Sequence, residues 1–248
     1  MPQRQSTVVT KQAVRPAIGI LLLALVPAGD WLLPRLAAQT SPAPALSETV
    51  PVGSEAVSQI VTRVQQRYDA TVDLSGDVVQ ETTLVKLNKR VTAKGTFAFR
   101  KPGKMRWELA NGMRETIVSD GKTLWIYRPD DQQVIRMPFE QAFRSSTPVS
   151  FLTGVGRLAE DFRAAIEPSD SPHLRLRLEP KHRNADVGVL WLEVDKTTYD
   201  IVSAEVKDPL GNTSKLTLAN VRRNSGLADD FFRFQVPEGT DVLDAPRE

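Results

Sequence analysis

The 248-residue chain contains no cysteine, which excludes disulfides, a lipid-bearing cysteine, a zinc ribbon and a thiol nucleophile. Histidine is nearly as scarce. Only His173 and His182 occur, and both fall where strand ends or loops are predicted. The sequence has no Gly-x-Ser-x-Gly motif, no phosphate-binding loop and no cluster with metal-ligand spacing. We therefore predict no catalytic residue, no metal and no cofactor, and we expect a protein that is not an enzyme.

One apolar run, Ala17 to Ala28, follows a basic N-terminal stretch and is too short to span a bilayer comfortably. This layout is typical of a secretory signal peptide, and it predicts export to the periplasm. Cleavage could follow Ala28, Ala38 or Ala45, because small residues precede each position. An uncleaved membrane anchor is the alternative.

The excess of positive charge lies mainly in this export segment. Residues 1–38 hold four basic side chains and one acidic one, so the remaining 28 basic and 29 acidic side chains nearly balance. A nearly neutral body gives no support for binding nucleic acid or an anionic membrane surface. About 200 residues are enough for one sizeable core. We expect one domain at 53–243, after a signal peptide at 1–38 and a flexible leader at 39–52, with a tail at 244–248.

The clearest predicted helix covers Gly53 to Tyr68. Apolar residues recur at i, i+3, i+4 and i+7 on one face, and polar residues fill the other. The apolar stripe consists of Val57, Ile60, Val61 and Val64. Because β-branched residues have modest helix propensity, we expect this helix to depend on packing against a sheet.

Most of the remaining sequence alternates between apolar and polar residues with the period of a β-strand, and turn signals recur regularly between the runs. This pattern predicts an antiparallel meander. The pattern predicts one or two strands at 74–87 and a hairpin at 115–127. The other predicted strands are 96–100, 104–109, 174–179, 190–194, 202–206 and 216–218, and a last strand through Phe232, Phe234 and Val236 that closes the sheet.

Asp120-Gly121 is a strong signal for a hairpin turn. A two-residue turn there would pair Ser119 with Lys122, and hence Ile117 with Leu124. Pro138 to Ile166 breaks the strand period and predicts short helices, including one that resumes at Leu158, which could form a mobile cover over the sheet. The predicted fold class is mainly β with an α lid: a single-domain, incomplete antiparallel β-barrel covered by helices.

Three segments closely resemble the outer-membrane lipoprotein carrier (LolA) family. They are Lys94-Gly95-Thr96-Phe97, Arg100-Lys101-Pro102-Gly103-Lys104-Met105-Arg106-Trp107, and Ile117-Val118-Ser119-Asp120-Gly121-Lys122-Thr123-Leu124-Trp125-Ile126-Tyr127. Leu178-Glu179-Pro180-Lys181 and Phe232-Arg233-Phe234 continue the likeness, which spans roughly residues 55 to 243. The Val-Ser-Asp-Gly-Lys-Thr-Leu-Trp run is the most specific of these.

The resemblance implies a monomeric periplasmic carrier that hides lipoprotein acyl chains in an apolar cavity. It implies that the carrier takes acylated lipoproteins from an inner-membrane ABC exporter and delivers them to an outer-membrane receptor or to the membrane itself. Two alternatives with the same half-barrel stay open: a periplasmic lipid-sensing regulator and a carrier of another lipid.

The candidate site residues combine the alternation with the resemblance. The predicted acyl-chain cavity consists of Val57, Ile60, Val61, Val64, Phe97, Phe99, Met105, Trp107, Ile117, Leu124 and Ile126. The predicted lid residues are Phe139, Phe151 and Leu152. The resemblance implies a basic lid latch at Lys101, where family members often have arginine. Each apolar residue could equally fill an ordinary core. Lys89, Arg90 and Lys94 predict either a charged edge strand or a docking patch for the exporter.

Overall fold

A computed structural model of the protein describes residues 54–112, 114–142, 156–181 and 188–245. The strands in these ranges belong to one twelve-stranded sheet. In chain order they are β1 (Asp73–Leu84), β2 (Lys89–Arg100), β3 (Lys104–Asn111), β4 (Glu115–Asp120), β5 (Thr123–Arg128), β6 (Gln133–Pro138), β7 (Phe162–Glu167), β8 (Leu174–Pro180), β9 (Val189–Val194), β10 (Ile201–Lys207), β11 (Thr213–Arg223) and β12 (Asp241–Asp244).

The sheet is open rather than closed into a barrel. Its strand order is β12-β6-β5-β4-β3-β2-β1-β11-β10-β9-β8-β7, so β12 and β7 form the two edges. Neighbouring strands are antiparallel, apart from β12, which runs parallel to β6. This architecture confirms the prediction of an incomplete, largely antiparallel barrel with helices on one side.

The predicted N-terminal helix is present as α1 (Ser54–Asp69). Val61 and Val64 of its stripe are buried in the same hydrophobic core as the sheet residues, and Val57 and Ile60 are partly buried against that core. We call the side of the sheet that faces α1 the inner face. The β-branched stripe therefore packs as expected, and this packing compensates for its modest helix propensity.

Two short helices accompany α1 in the described residues. They are α2 (Phe139–Ala142) and α3 (Leu158–Asp161). The prediction that a helix continues to Ile166 was wrong, because the chain leaves α3 directly into β7, the edge strand next to which α1 lies. The six residues of β7 are too few to show a clear helical or strand period, and their pairing with β8 decides their conformation.

The register of the predicted hairpin differs from the two-residue turn. Ser119 pairs with Leu124, and Ile117 pairs with Ile126. The turn is longer because the Oδ1 of Asp120 accepts bonds from the amides of Lys122 and Thr123, at 2.8 Å each. A shift by two residues keeps every side chain on its face, so the predicted inward set is unchanged.

The C-terminal segment is not the strand that the alternation of Phe232, Phe234 and Val236 predicted. Residues Asp229–Phe232 form a 3₁₀ turn, and the chain becomes a strand again only at β12. The segment crosses the outer face, where Phe234 packs on Trp125 and Tyr127 with ring centroids 6.0 and 6.1 Å apart. These aromatic contacts replace backbone pairing as the force that holds the segment.

Asp73 fastens the start of this C-terminal segment to the sheet. Its carboxylate accepts bonds from the Ser225 amide at 2.7 Å, the Ser225 hydroxyl at 3.0 Å and the Gly226 amide at 2.9 Å. Burial acts to raise the pKa of Asp73, but these hydrogen bonds together outweigh it and hold the pKa below its ordinary value. The ionised form is therefore the one that the fold uses.

The basic side chains that predicted an edge strand lie on β2, which stands between β1 and β3 in the strand order, so β2 as a whole is not an edge strand. Its pairing with β3 begins only at Lys94, and in the described residues Lys89 and Arg90 pair with β1 alone. Among the described residues, no helix has the length and apolar character needed to cross a membrane.

Candidate functional site: the apolar inner face

The inner face of the sheet brings the predicted cavity residues together. Nine of the eleven are buried in one hydrophobic cluster with α1, and the other two, Val57 and Ile60, are partly buried against it. Strand pairing explains this arrangement, because Phe97 lies opposite Trp107 on β3 and Trp107 lies opposite Ile117 on β4. Directly paired residues point to the same face of a sheet. Once the inward residues of one strand are known, their partners on the neighbouring strand are therefore inward as well.

Three aromatic rings form the centre of this face. The ring centroids of Phe97 and Phe99 are 5.6 Å apart, and each lies 6.1 Å from that of Trp107. All three rings are tilted to one another, in the range where aromatic pairs attract beyond their buried area. Met105 and Leu124 lie on the same face and are fully buried, so a broad surface with little polarity faces α1.

This surface is covered in the structure. Trp107, Met105 and Val64 have no exposed area at all, and all three belong to one hydrophobic cluster. A ligand could reach the aromatic centre only if some of the residues that cover it moved. The structure is thus a closed form, in which Val61 and Val64 of α1 are part of the buried cluster.

The predicted lid residues are described only in part. Phe139 begins α2, is buried and joins the same hydrophobic cluster. Its ring approaches the position that a side chain at Gly103 would occupy, to about 3.0 Å, so α2 packs against the β2–β3 turn. Phe151 and Leu152 lie outside the described residues.

Lys101 lies in that turn, and its ammonium donates a hydrogen bond to the backbone carbonyl of Tyr68 in the last turn of α1. The predicted latch therefore contacts α1. Burial lowers the pKa of Lys101, and the nearby carboxylate of Asp69 acts in the opposite direction. Arg100 points to the other side, where it donates to the carbonyl of Leu227 at 2.7 Å and to Asp229 at 2.8 Å.

A second group of contacts fastens the same end of α1, and the sequence analysis did not predict it. Arg67 forms two hydrogen bonds with Asp200, at 2.9 and 3.1 Å. The hydroxyl of Tyr68 accepts a bond from the Ile201 amide at 3.1 Å. Arg223 adds bonds to Asp200 and to the Thr71 hydroxyl. Burial acts to raise the pKa of Asp200, but the two arginines together hold it below its ordinary value.

Polar groups occupy one end of the inner face. The Glu115 carboxylate on β4 is buried and accepts a bond from Arg128 at 3.0 Å. Burial raises the pKa of Glu115, against the attraction of Arg128. No group of histidine and carboxylate side chains in the described ranges is arranged to hold a metal ion. The described residues of the site are thus mainly apolar, with Glu115 and Arg128 at one end.

The outer face carries a groove of about 710 Å³ that the sequence analysis did not predict. It lies between β1, β2, β11 and the C-terminal segment, and Arg106 and Phe231 line one side of it. Arg106 stacks over the Phe231 ring at 5.5 Å and donates to its backbone carbonyl at 3.3 Å.

Comparison with known proteins shows which family the sequence matches. Residues 70–235 match the family model described as outer membrane lipoprotein carrier protein LolA. The chain is 31% identical over 199 residues to the outer-membrane lipoprotein carrier protein of Bordetella avium, covering 80% of this chain and 92% of that protein. The protein of the same name from Neisseria gonorrhoeae is 30% identical over 197 residues, covering 79% and 92%. A solved LolA superfamily structure from Nitrosomonas europaea aligns with a TM-score of 0.41 and 13% identity, over 72% of this chain and 97% of that one.

Proposed function

Because the chain belongs to the outer membrane lipoprotein carrier (LolA) family, we propose that it is a periplasmic carrier that shields the acyl chains of lipoproteins on the inner face of its open sheet. The single observation that carries this proposal is the apolar face formed by β2, β3, β4 and β5, whose buried residues share one hydrophobic cluster with α1. The family is one of carriers and not of enzymes.

Physical chemistry explains why such a surface is needed. Exposing a sixteen-carbon chain to water costs roughly 13 kcal/mol at about 0.8 kcal/mol per CH₂ group, and lipoproteins carry more than one chain. Unaided transfer through water is therefore negligible. A protein that buries the chain between a sheet and a movable cover removes this barrier without chemistry.

The proposed binding residues are those of the apolar inner face, with α1 as the part of the cover that the structure describes. Phe139 extends this cover through α2, and Phe151 and Leu152 belong to the proposal as further cover residues. Lys101 is the proposed latch, since its bond to Tyr68 ties the turn between β2 and β3 to the end of α1.

The proposed partners are an inner-membrane ABC exporter that loads the carrier and an outer-membrane receptor, or the membrane itself, that receives the cargo.

The test is to identify what the protein carries. Full-length protein is expressed with its own N-terminal segment in a bacterium that has an outer membrane. It is then released from the periplasm without detergent and measured by native mass spectrometry. We expect adducts whose fragments include an acylated N-terminal peptide. A variant with Val64→Asp on α1, which puts a charge on the apolar face, should lose the adduct, and Ser58→Asp on the exposed side of the same helix should keep it.

Other outcomes would contradict the proposal in distinct ways. Recovery of a glycolipid or phospholipid without peptide would identify a carrier of another lipid. A stable complex with a membrane-anchored regulator would identify a sensor. Recovery from the cytoplasm with an intact N-terminus would overturn the periplasmic location.

A further inference from the structure

The indole nitrogen of Trp107 is a buried hydrogen-bond donor that has no partner among the described residues. The side chain has no exposed area, so solvent cannot reach it in this conformation. Buried donors in native proteins are nearly always paired, and an unpaired one calls for an explanation. A phenylalanine at this place would contribute an aromatic ring to the core without an unpaired N–H.

No residue directly paired with Trp107 can accept this bond. Its cross-strand partners on the inner face are Phe97 and Ile117, and its neighbours on the same face of β3 are Met105 and Leu109. None of the four has an oxygen or nitrogen in its side chain. Two polar residues of β4 on this face, Glu115 and Ser119, lie diagonally from Trp107, but they accept bonds from Arg128 and from the Gly121 amide, and neither is bonded to the indole. An acceptor for the indole therefore has to come from outside the residues that pair with it.

The other unpartnered buried side-chain atom in the described residues, Oε1 of Gln80, has a different setting. Its amide nitrogen lies 3.5 Å from the Thr82 hydroxyl, which in turn donates to Ser214 at 3.3 Å. The Gln80 amide therefore already has a hydrogen-bond partner in the fold, whereas the one polar side-chain atom of Trp107 has none. This leaves the Trp107 indole as the group that points to a ligand.

We propose that the Trp107 indole is a polar subsite within the apolar face and donates a hydrogen bond to the carbonyl oxygen of a bound acyl chain. This inference rests on the proposed function and specifies which atom of the cargo the protein recognises. An acyl chain attached through an ester or an amide has one carbonyl at the start of its apolar tail, whereas a hydrocarbon or an ether has none. The bond would fix how deep the chain enters, and it would form only after α1 has moved away.

The experiment compares three ligands of similar length: methyl hexadecanoate, N-methylhexadecanamide and octadecane, which has no hydrogen-bond acceptor. Their affinities are measured by displacement of a fluorescent fatty acid from the full chain. Since a neutral hydrogen bond contributes a net factor of about five, with a range of roughly two to ten, we expect Trp107→Phe to weaken binding of the ester and the amide about fivefold and to leave binding of octadecane unchanged. Trp125→Phe, on the outer face, should leave all three affinities unchanged.

A second measurement does not depend on any variant. In ¹⁵N-labelled wild-type protein, the indole N–H resonance of Trp107 should shift markedly on binding the ester or amide and much less on binding octadecane. An equal effect of Trp107→Phe on all three affinities, or an equal indole shift with octadecane, would overturn the subsite while leaving the carrier function standing. Failure of all three ligands to bind wild-type protein would instead contradict the proposed function, and the subsite with it.

Discussion

Replacing Lys101 by methionine tests whether this side chain holds α1 closed over the sheet. Methionine keeps most of the length and apolar volume of the lysine stem, so the substitution removes chiefly the ammonium that donates to the Tyr68 carbonyl. Hydrogen bonds from charged groups contribute about 1.5–3 kcal/mol, and a cation near a helix C-terminus gains about 0.3–1 kcal/mol from the dipole. Lys101 is only partly buried, so screening and desolvation favour a net value near 1.5 kcal/mol.

A loss of about 1.5 kcal/mol corresponds to roughly tenfold more frequent opening of the end of α1. Hydrogen–deuterium exchange of peptides from residues 54–70 measures this opening directly, because local openings set the exchange rate of helix amides. Peptides from the β8–β9 region should exchange as in wild type. Lys101→Arg should keep the protection, since the guanidinium also donates to carbonyls and offers five N–H groups.

Lys104→Met is the matched control for this measurement. Lys104 is close by in the chain and loses the same ammonium, but its partner is Asp229 on the outer side of the sheet. It should therefore leave exchange in α1 unchanged. The latch argument fails if Lys101→Met and Lys104→Met accelerate exchange in α1 equally, or if neither does.

Three further predictions concern stability and can be measured by urea denaturation. Val64→Ala removes two buried methyl groups and should lower the free energy of unfolding by about 1.5–3 kcal/mol, whereas Ser58→Ala on the exposed side of α1 should change it by less than about 0.5 kcal/mol. Gly95→Ala should prevent stable folding, because its Cβ would lie 1.7 Å from a carbonyl oxygen of β3; a normal unfolding curve would contradict this. Folding lowers the pKa of Asp73. Its contribution to the free energy of unfolding is therefore complete above the pKa of the unfolded state, near 4, and is lost as the pH falls through the lower pKa of the folded state. Asp73→Asn should lower the free energy of unfolding by about 1.5–3 kcal/mol at pH 7 and by correspondingly less below pH 4. If the free energies of unfolding of the two proteins ran parallel across this pH range, the role assigned to the bonds of Asp73 with Ser225 would be refuted.

The parts of the fold that the sequence predicted are those with a local periodic signature. The helical stripe around Val61 and Val64 predicted α1 to within one residue at each end. The alternation through Phe97 and Trp107 predicted the inward face of the strands, because a side-chain period of two survives any even shift in register. For the same reason the pattern could not reveal that Ile117 pairs with Ile126 rather than with Leu124. The length of the turn, which sets this register, depends on hydrogen bonds to the Asp120 carboxylate.

The contacts that fasten the ends of the structure could not be predicted in this way. Arg67 and Asp200 are 133 positions apart, and Asp73 and Ser225 are 152 positions apart. A single arginine or aspartate on a polar face has no local pattern that identifies a distant partner. The alternation of Phe232 and Phe234 was misleading for a related reason, since their rings pack without backbone pairing, which the alternation alone does not distinguish from a strand.

The packed interior bears on how a carrier of this kind could release what it binds. Under the proposed function, burying one sixteen-carbon chain gains roughly 13 kcal/mol, but the chain must first displace the α1 stripe from the sheet. Fully burying a valine or isoleucine side chain is worth about 1.5–3 kcal/mol, so two buried and two partly buried residues hold the cover with about 4–8 kcal/mol. The bonds of Lys101 and of the Arg67–Asp200 pair add to the free energy needed to displace the cover. All of this free energy is regained when the cargo has left and α1 packs on the sheet again. The net affinity is therefore much smaller than the burial of the chain alone suggests, and a membrane, which has no such cover to displace, binds the chain more strongly. The same residues that keep the apolar face out of water without cargo thus make delivery energetically downhill.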